Sequence, residues 1–150
     1  MAPKFTLVPS ELFSESSARE ILSEVVPLEE GEPLSFAEIP SRDAVLVYTG
    51  ASRPVVYDMI LSLCKIGLYN KIIACISDGW LYITVARGEV LDFCNCFKVV
   101  DFVTAEYYML MVLKKLQINP EISTIYFMSP LSEEQTVALL SYFKNAEVLQ

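Results

Sequence analysis

The 150-residue sequence contains no histidine. Histidine is the side chain whose ordinary pKa suits it best to general base catalysis near neutral pH, and it is the commonest metal ligand in proteins. Its absence therefore excludes histidine-dependent catalytic triads, His-assisted general base chemistry and most catalytic zinc sites.

Basic side chains are few, because 11 Lys and Arg residues stand against 19 Asp and Glu residues and leave a net charge of −8. Binding to nucleic acid depends on Lys and Arg side chains that neutralise phosphates, and an anionic membrane surface makes the same demand. We therefore expect no nucleic-acid partner and no membrane partner. The acidic balance is most simply explained by solubility.

A long apolar run is also missing. The longest one, Tyr107 to Leu113, is far too short to span a bilayer. The first residues lead directly into a β-like segment, without the basic region and long apolar stretch of a signal peptide. A cytoplasmic location is therefore predicted.

Four cysteines occur in the chain, at Cys64, Cys75, Cys94 and Cys96. In a cytoplasmic protein we expect them to be reduced and to act as small apolar core residues. Cys94 and Cys96 lie two apart on a predicted strand and therefore share a face. A metal site needs more ligands than these two, so no metal site is predicted.

The first part of the chain, residues 1–69, shows a strand–helix–strand–strand–helix pattern. Its predicted strands are Phe5 to Val8, Leu34 to Ile39 and Ala44 to Thr49. Ser17 and Glu20 have the spacing of a capping box and predict the start of the first helix. Pro54 suits the first turn of the second helix, which Gly67 ends.

The second part, residues 70–150, begins with three strands joined by two tight turns. Asp78-Gly79 and Arg87-Gly88 are strong hairpin signals. The predicted strands are Lys71 to Ser77, Trp80 to Ala86 and Val90 to Val99. The alternation of their apolar positions specifies a three-stranded antiparallel meander.

Helices and strands alternate in the rest of the second part. Thr104 is predicted to cap a helix whose middle is apolar all round, which indicates burial on more than one side. Ser132 and Gln135 have the pattern of a second capping box. The predicted strands are Ser123 to Met128 and Ala146 to Leu149. The order of the second part is therefore βββαβαβ, and the chain is assigned to the α/β class.

The βββαβαβ order is that of a ribonuclease H-like domain, and actin-like ATPases contain two such domains. The chain also resembles a bacterial family of unknown function, mostly from Bacteroidetes, that has an actin-like ATPase fold. The segments that carry the resemblance are Phe5 to Phe13, Asn70 to Ile73, Val90 to Phe97 and Tyr107 to Leu110. The resemblance covers most of the chain. It implies an incomplete βαββα first lobe at residues 1–69 and a ribonuclease H-like lobe at residues 70–150.

The chain differs from that family at its N-terminus, where family members are longer and open the first lobe with additional strands. The resemblance therefore implies an unfinished sheet, whose edge of unpaired backbone groups proteins normally cover. Apolar residues also make up 53% of the chain, which is high for a soluble monomer. We expect a homo-oligomer or a protein partner that covers apolar surface and the open edge.

The resemblance also indicates where a nucleotide would bind. Actin-like ATPases hold phosphates on glycine-rich hairpin turns, with an acidic residue nearby for magnesium. The matching turn contains Ser77, Asp78 and Gly79, with one glycine instead of a run, and Cys75 lies roughly where such families have the aspartate. We interpret Asp78-Gly79 more simply as a hairpin turn. No cofactor is predicted, with ATP and magnesium as the alternative.

Two other parts of a nucleotide or metal site are not matched. The adenosine contact of actin-like ATPases uses a Gly-Gly pair where this chain has Ser129-Pro130, and proline has no N–H to offer. A ribonuclease H-type nuclease needs carboxylates clustered around two metals. Asp92 and Asp101 are not expected to converge with Asp78, so no catalytic residue is predicted.

Three hypotheses on function follow. The leading one is a non-catalytic actin-like interaction module that works as a scaffold or subunit and associates with itself. The second is a divergent ATP-binding protein or ATPase that uses the turn from Ser77 to Gly79. The third is a small-molecule pocket between the two halves of the chain.

Overall fold

The computed structural model describes residues 3–50 and 52–149. The chain divides into two compact units, Met1–Leu61 and Ser62–Gln150, each built on its own sheet. The two-lobe division that the sequence places between residues 69 and 70 stays a prediction. The N-terminal residues Met1 and Ala2, on which the prediction of no signal peptide partly rests, lie outside the described residues.

The first unit contains a three-stranded antiparallel sheet. Its elements are β1 (Phe5–Pro9), α1 (Glu15–Ser23), β2 (Leu34–Ile39), β3 (Ala44–Thr49) and α2 (Val55–Ser62), with 3-10 turns at Ser10–Leu12 and Pro40–Arg42. The strand order is β1-β3-β2. The almost continuous apolar character of β3 fits its burial, because Val45 to Tyr48 are all buried and successive side chains of a strand point to opposite faces of the sheet. The predicted βαββα order is confirmed.

Helix α1 begins three residues earlier than the sequence pattern predicts. Its N-cap is Ser14, whose hydroxyl oxygen accepts a hydrogen bond from the Ser17 N–H at 3.3 Å. The prediction of Ser17 as the cap is therefore wrong, because Ser17 is the third residue inside the helix. The helix buries Ala18 and Leu22 against Val47 of β3.

The second unit contains a five-stranded mixed sheet. Its elements are β4 (Asn70–Ser77), β5 (Trp80–Arg87), β6 (Val90–Lys98), α3 (Phe102–Lys115), β7 (Thr124–Phe127), α4 (Glu133–Leu140) and β8 (Asn145–Val148), with 3-10 turns at Leu63–Lys65 and Pro120–Ile122. The strand order is β6-β5-β4-β7-β8. The meander β4–β5–β6 is antiparallel, whereas β7 lies parallel to β4 and β8 parallel to β7. The predicted βββαβαβ order is confirmed.

The core of the second unit lies between one face of this sheet and the two helices. The inward side chains of β5 are Leu81, Ile83 and Val85, as the alternation predicts. They form one cluster with α3 side chains such as Met109 and with Phe127 of β7. A single apolar layer therefore fixes α3 on the sheet.

The caps of α3 and α4 show one wrong and one confirmed prediction. Asp101, not Thr104, is the N-cap of α3, and its Oδ1 accepts a hydrogen bond from the Thr104 N–H at 2.8 Å. For α4, the Ser132 hydroxyl accepts from the Gln135 N–H at 3.0 Å, and the Gln135 side chain accepts from the Ser132 N–H at 2.9 Å. The second capping box is therefore confirmed.

Helix α3 is covered on one side only. Tyr107, in the part of the helix that is apolar around its circumference, is 63% exposed, and Val103, one turn earlier, is 73% exposed. The prediction of burial on more than one side is therefore wrong for this chain. An apolar helix face is left open.

We expect Phe127→Ala to lower the free energy of unfolding by about 3–5 kcal/mol, because Phe127 is fully buried and truncation leaves a cavity. Urea unfolding followed by circular dichroism measures this loss. The matched control is Ile122→Ala, where the side chain is 70% exposed and the expected change is within about 0.5 kcal/mol. Equal losses in the two variants would contradict the position of the core.

Candidate functional site

The candidate phosphate turn is a two-residue β-hairpin. Ser77 at the end of β4 pairs with Trp80 at the start of β5, and the turn residues Asp78 and Gly79 have positive φ angles of 50° and 80°. Two positive φ angles are the mark of a type I′ turn, whose twist matches that of the flanking strands. The Asp78 side chain is exposed, and the Gly79 carbonyl accepts a hydrogen bond from the Val99 N–H at 2.9 Å. The turn is accounted for by hairpin geometry.

The segment that follows β7 is used to extend the sheet. The Met128 N–H donates to the Ala74 carbonyl at 2.9 Å, and the Ser129 hydroxyl accepts from the Ile76 N–H at 3.0 Å. Pro130 comes next and has no N–H. Ser129 thus supports the β4–β7 junction at the position where an actin-like ATPase would bring two glycines to adenosine.

Cys75 occupies a buried position on β4 and pairs with Tyr82 across the β4–β5 ladder. Burial raises the pKa of the Cys75 thiol, while a hydrogen bond with Ser129 lowers it to a smaller extent. A protonated thiol is a weak ligand for a hard cation such as magnesium, which prefers carboxylate oxygens. Cys75 is therefore a poor substitute for the aspartate that actin-like ATPases have near this position to hold magnesium.

The acidic side chains that a metal-dependent nuclease would need are not brought together. Asp92 forms an ion pair with Arg87 near the end of the sheet opposite to the Asp78 turn. Asp101 is engaged at the start of α3, where hydrogen bonds from Thr104 hold the pKa of its carboxyl below the usual range. Within residues 3–50 and 52–149, no cluster of three or more Cys, Asp and Glu side chains has the geometry of a metal site.

The four cysteines differ in burial. Cys64 is exposed, so the prediction that all four are core residues is wrong for it. Burial raises the pKa of Cys94 to about 12 and the pKa of Cys96 to about 11. Thr84 lies 3.8 Å from the Cys94 sulfur and donates its hydroxyl hydrogen to it. Raised thiol pKa values make these two side chains poor nucleophiles.

The two outer strands of the five-stranded sheet share a feature that the sequence analysis missed. On β6 the Asn95 side-chain oxygen accepts from the Cys96 N–H at 2.8 Å, and on β8 the Asn145 oxygen accepts from the Ala146 N–H at 3.1 Å. The ladder register turns both of these N–H groups away from the sheet. Each outer strand therefore has one outward donor occupied by the preceding asparagine, which makes the edge a weaker template for an added strand.

The comparisons with known proteins agree with this architecture. Residues 52–145 match a family described as "Protein of unknown function (DUF3822)". A crystal structure from Bacteroides thetaiotaomicron, described as a protein with an actin-like ATPase fold and unknown function, superimposes with a TM-score of 0.81 at 19% sequence identity. The alignment covers 99% of this chain and 65% of that chain. No curated protein matches the sequence significantly.

The structural likeness confirms the predicted actin-like, ribonuclease H-like fold. It also shows that the chain spans 65% of the length of the related structure. Among the helices of the described residues, none combines the length and the apolar character needed to cross a bilayer. The observed features that invite a functional interpretation are thus the open face of α3 and the outer strands of the sheets.

We expect Gly79→Ala to destabilise the protein by about 1–2 kcal/mol, because a Cβ disfavours the left-handed conformation that Gly79 adopts. The matched variant Asp78→Asn should leave the free energy of unfolding unchanged within about 0.5 kcal/mol, since asparagine also suits this turn. Urea unfolding measures both. Tolerance of Gly79→Ala would mean that hairpin geometry does not account for the glycine.

Stability should fall as the pH rises above about 9, the ordinary range of an unfolded thiol. The folded state holds Cys94 and Cys96 protonated through higher pH because their pKa values are raised, so the unfolded chain releases protons first. The stabilisation is fully present below about pH 9 and is lost towards pH 11–12.

The measurement is the urea midpoint between pH 8 and pH 11. Cys94→Ala should flatten its decline, and Cys64→Ala, which changes an exposed thiol, should not. A decline that keeps its slope in Cys94→Ala would show that the Cys94 thiol does not contribute to it.

Proposed function

We propose, on the premise that this chain belongs to the DUF3822 family of proteins of unknown function, that it is an interaction or scaffold protein that keeps an actin-like fold without using nucleotide. The observation that carries the proposal is the open apolar face of α3, on which Val103 and Tyr107 are largely exposed. Exposed apolar side chains that lie together on one surface are typical of sites that another protein covers.

The geometry of the candidate nucleotide site supports the same proposal. A phosphate site of the actin type needs several glycines whose N–H groups crowd around an anion, and the Asp78-Gly79 turn provides one glycine. The adenosine side would need backbone N–H groups where Ser129 supports the sheet and Pro130 has none. The chain can therefore keep the actin-like fold without the contacts that bind a nucleotide.

The outer strands limit how a partner would bind. In the second unit, Asn95 and Asn145 occupy outward N–H groups, which disfavours strand addition there. In the described residues of the first unit, β1 and β2 each pair with β3 alone. We therefore propose that a partner strand would add to β1 or β2 of the first unit, whereas the second unit would bind through helix α3.

A cytoplasmic location is part of the proposal. The four cysteines, all within the described residues, form no disulfide with one another, as is usual for proteins of a reducing compartment. The net charge of −8 supports a protein partner over a nucleic acid, because phosphate binding needs a basic surface.

The proposal predicts that millimolar Mg-ATP leaves the melting temperature unchanged. A ligand present at about a hundred times its dissociation constant would stabilise the folded state by roughly 2.7 kcal/mol and raise the melting temperature by several degrees. Differential scanning fluorimetry of the wild type and of Asp78→Ala measures this. A rise that disappears in Asp78→Ala would overturn the proposal in favour of the alternative, a divergent ATP-binding protein or ATPase.

A further inference from the structure

Strand β2 is an outer strand of the first unit, and the sheet register identifies the backbone groups that it turns outward. The Thr49 N–H of β3 donates to the Lys4 carbonyl, just before β1, at 3.2 Å. The residues of a central antiparallel strand bond alternately to its two neighbours, so Tyr48 of β3 bonds to β2, opposite Ser35. The residues whose N–H and C=O groups point outward from β2 are therefore Leu34, Phe36 and Glu38.

The outward groups of β2 are unpaired. Among the residues that the structure describes, none bonds to the N–H groups of Leu34, Phe36 or Glu38. An outer strand in this condition is a template for an added strand, which proteins usually prevent with a proline, a charge or a local distortion. β2 contains no proline and has one charged residue, Glu38.

The other outer strands of the two sheets are less suitable templates. On β1, the Ser10 N–H donates to the Asp43 carbonyl of the inner side at 2.8 Å, so the preceding Pro9 faces outward, where it has no N–H to offer. On β6 and β8, asparagine side chains occupy an outward N–H group. β2 is therefore the most open sheet edge in the described part of the chain.

The centre of β2 is already held in place. The Phe36 ring meets the Phe13 ring edge to face, with centroids 5.1 Å apart, and packs with Leu34 against the core of the first unit. A strand that is ordered before it binds loses little conformational entropy on binding. Phe36 is only partly buried, so a second aromatic side chain opposite it would cover more of its surface.

The outward groups of β2 are complementary to those of a second β2. In an antiparallel pair with a two-fold axis at Phe36, this residue lies opposite Phe36 of the partner subunit, and Leu34 lies opposite the partner subunit's Glu38. Every outward N–H group of both strands then meets an outward carbonyl. On the other face of the pair, Ser35 lies opposite the partner subunit's Ala37, and these small side chains allow the backbones to approach.

The charge of Glu38 selects this direction. In the antiparallel pair the two Glu38 residues lie four residues apart along the strands, about 13 Å, which exceeds the screening length of about 8 Å at physiological ionic strength. In a parallel pair in register they would lie on adjacent strands about 5 Å apart, and like charges directly opposite one another are destabilising.

We propose that β2 pairs antiparallel with β2 of a second copy of this chain, across a two-fold axis at Phe36. The inference rests on the proposed function and names its partner. The pairing joins the three-stranded sheets of the two copies into one continuous sheet. A strand of six residues is roughly 20 Å long, so the interface is small and the dimer is expected to dissociate in the micromolar to millimolar range.

Sedimentation equilibrium of the full chain over this concentration range tests the pairing with two variants of one residue. Glu38→Pro should raise the dissociation constant at least tenfold, because it removes an N–H group that only the dimer uses. The matched control Glu38→Ala removes the same carboxylate but keeps the N–H group, so it should change the dissociation constant by less than about threefold. A wild type that stays monomeric, or equal weakening by both variants, would overturn the inference.

Cross-linking tests the register and does not depend on the proline variant. In a Cys64→Ser background treated with a mild oxidant, a mixture of Leu34→Cys and Glu38→Cys proteins should form a disulfide-linked dimer, because opposite residues have Cα atoms about 5.5 Å apart. Either protein alone should not, since its two introduced cysteines lie about 13 Å apart. The Cys64→Ser protein itself controls for the remaining cysteines.

The other results of the cross-linking contradict the proposal. A disulfide-linked dimer of either protein alone would indicate parallel strands, and no cross-link in the mixture would indicate another interface or none. Either result would remove β2 as the interface and leave the proposed interaction function standing. Stabilisation by Mg-ATP would instead remove the proposed function, so the two failures are distinguishable.

Discussion

The parallel pairing of β4 with β7 is the contact on which the second unit depends, because it joins the antiparallel meander to the strands that come later in the chain. The pairing aligns Ile73 with Tyr126 and Ala74 with Phe127, and the Ser129 hydroxyl extends it by one more hydrogen bond. Parallel strands cannot be joined by a tight turn and need a long crossover, which α3 provides. The crossover requires α3 to lie on the sheet with one side buried, and it leaves the other side without a neighbour from this unit. The exposed apolar face of α3 thus has two causes. The topology leaves this side of the helix uncovered, and the residues on this side are apolar.

Most of the element order follows from the sequence because its signals are local. The two hairpins depend on turn residues whose backbone preference is a property of the residues themselves, and the strands on either side begin and end within one or two residues of the prediction. The first residues of the helices are predicted less accurately than the strands. Ser17 and Thr104 are each the third residue of a helix, and each donates its N–H to a cap three positions earlier, Ser14 or Asp101. Both ends of such a pair are residue types that can cap, so the pattern alone does not say which residue is the cap.

The position of the candidate site could be predicted from the sequence. The contacts that its residues make with distant parts of the chain could not. The order of strands places Asp78-Gly79 at a hairpin tip, which is where a phosphate turn would be. Whether Ser129 is free for a ligand depends on a hydrogen bond to Ile76, 53 residues away, which no local pattern reveals. The exposure of one face of α3 could not be predicted for the same reason, because it also depends on contacts between residues that are distant in sequence. A helix that is apolar around its whole circumference has no polar side to mark the solvent, so its orientation is decided by contacts with distant strands.

The net charge of the whole chain acts against the association of its copies. Each copy has a net charge of −8, so two copies repel one another when they approach in any orientation. At physiological ionic strength, charges separated by more than about 8 Å of solvent are largely screened, so this repulsion weakens once salt is present. General repulsion therefore disfavours non-specific aggregation through an exposed apolar surface.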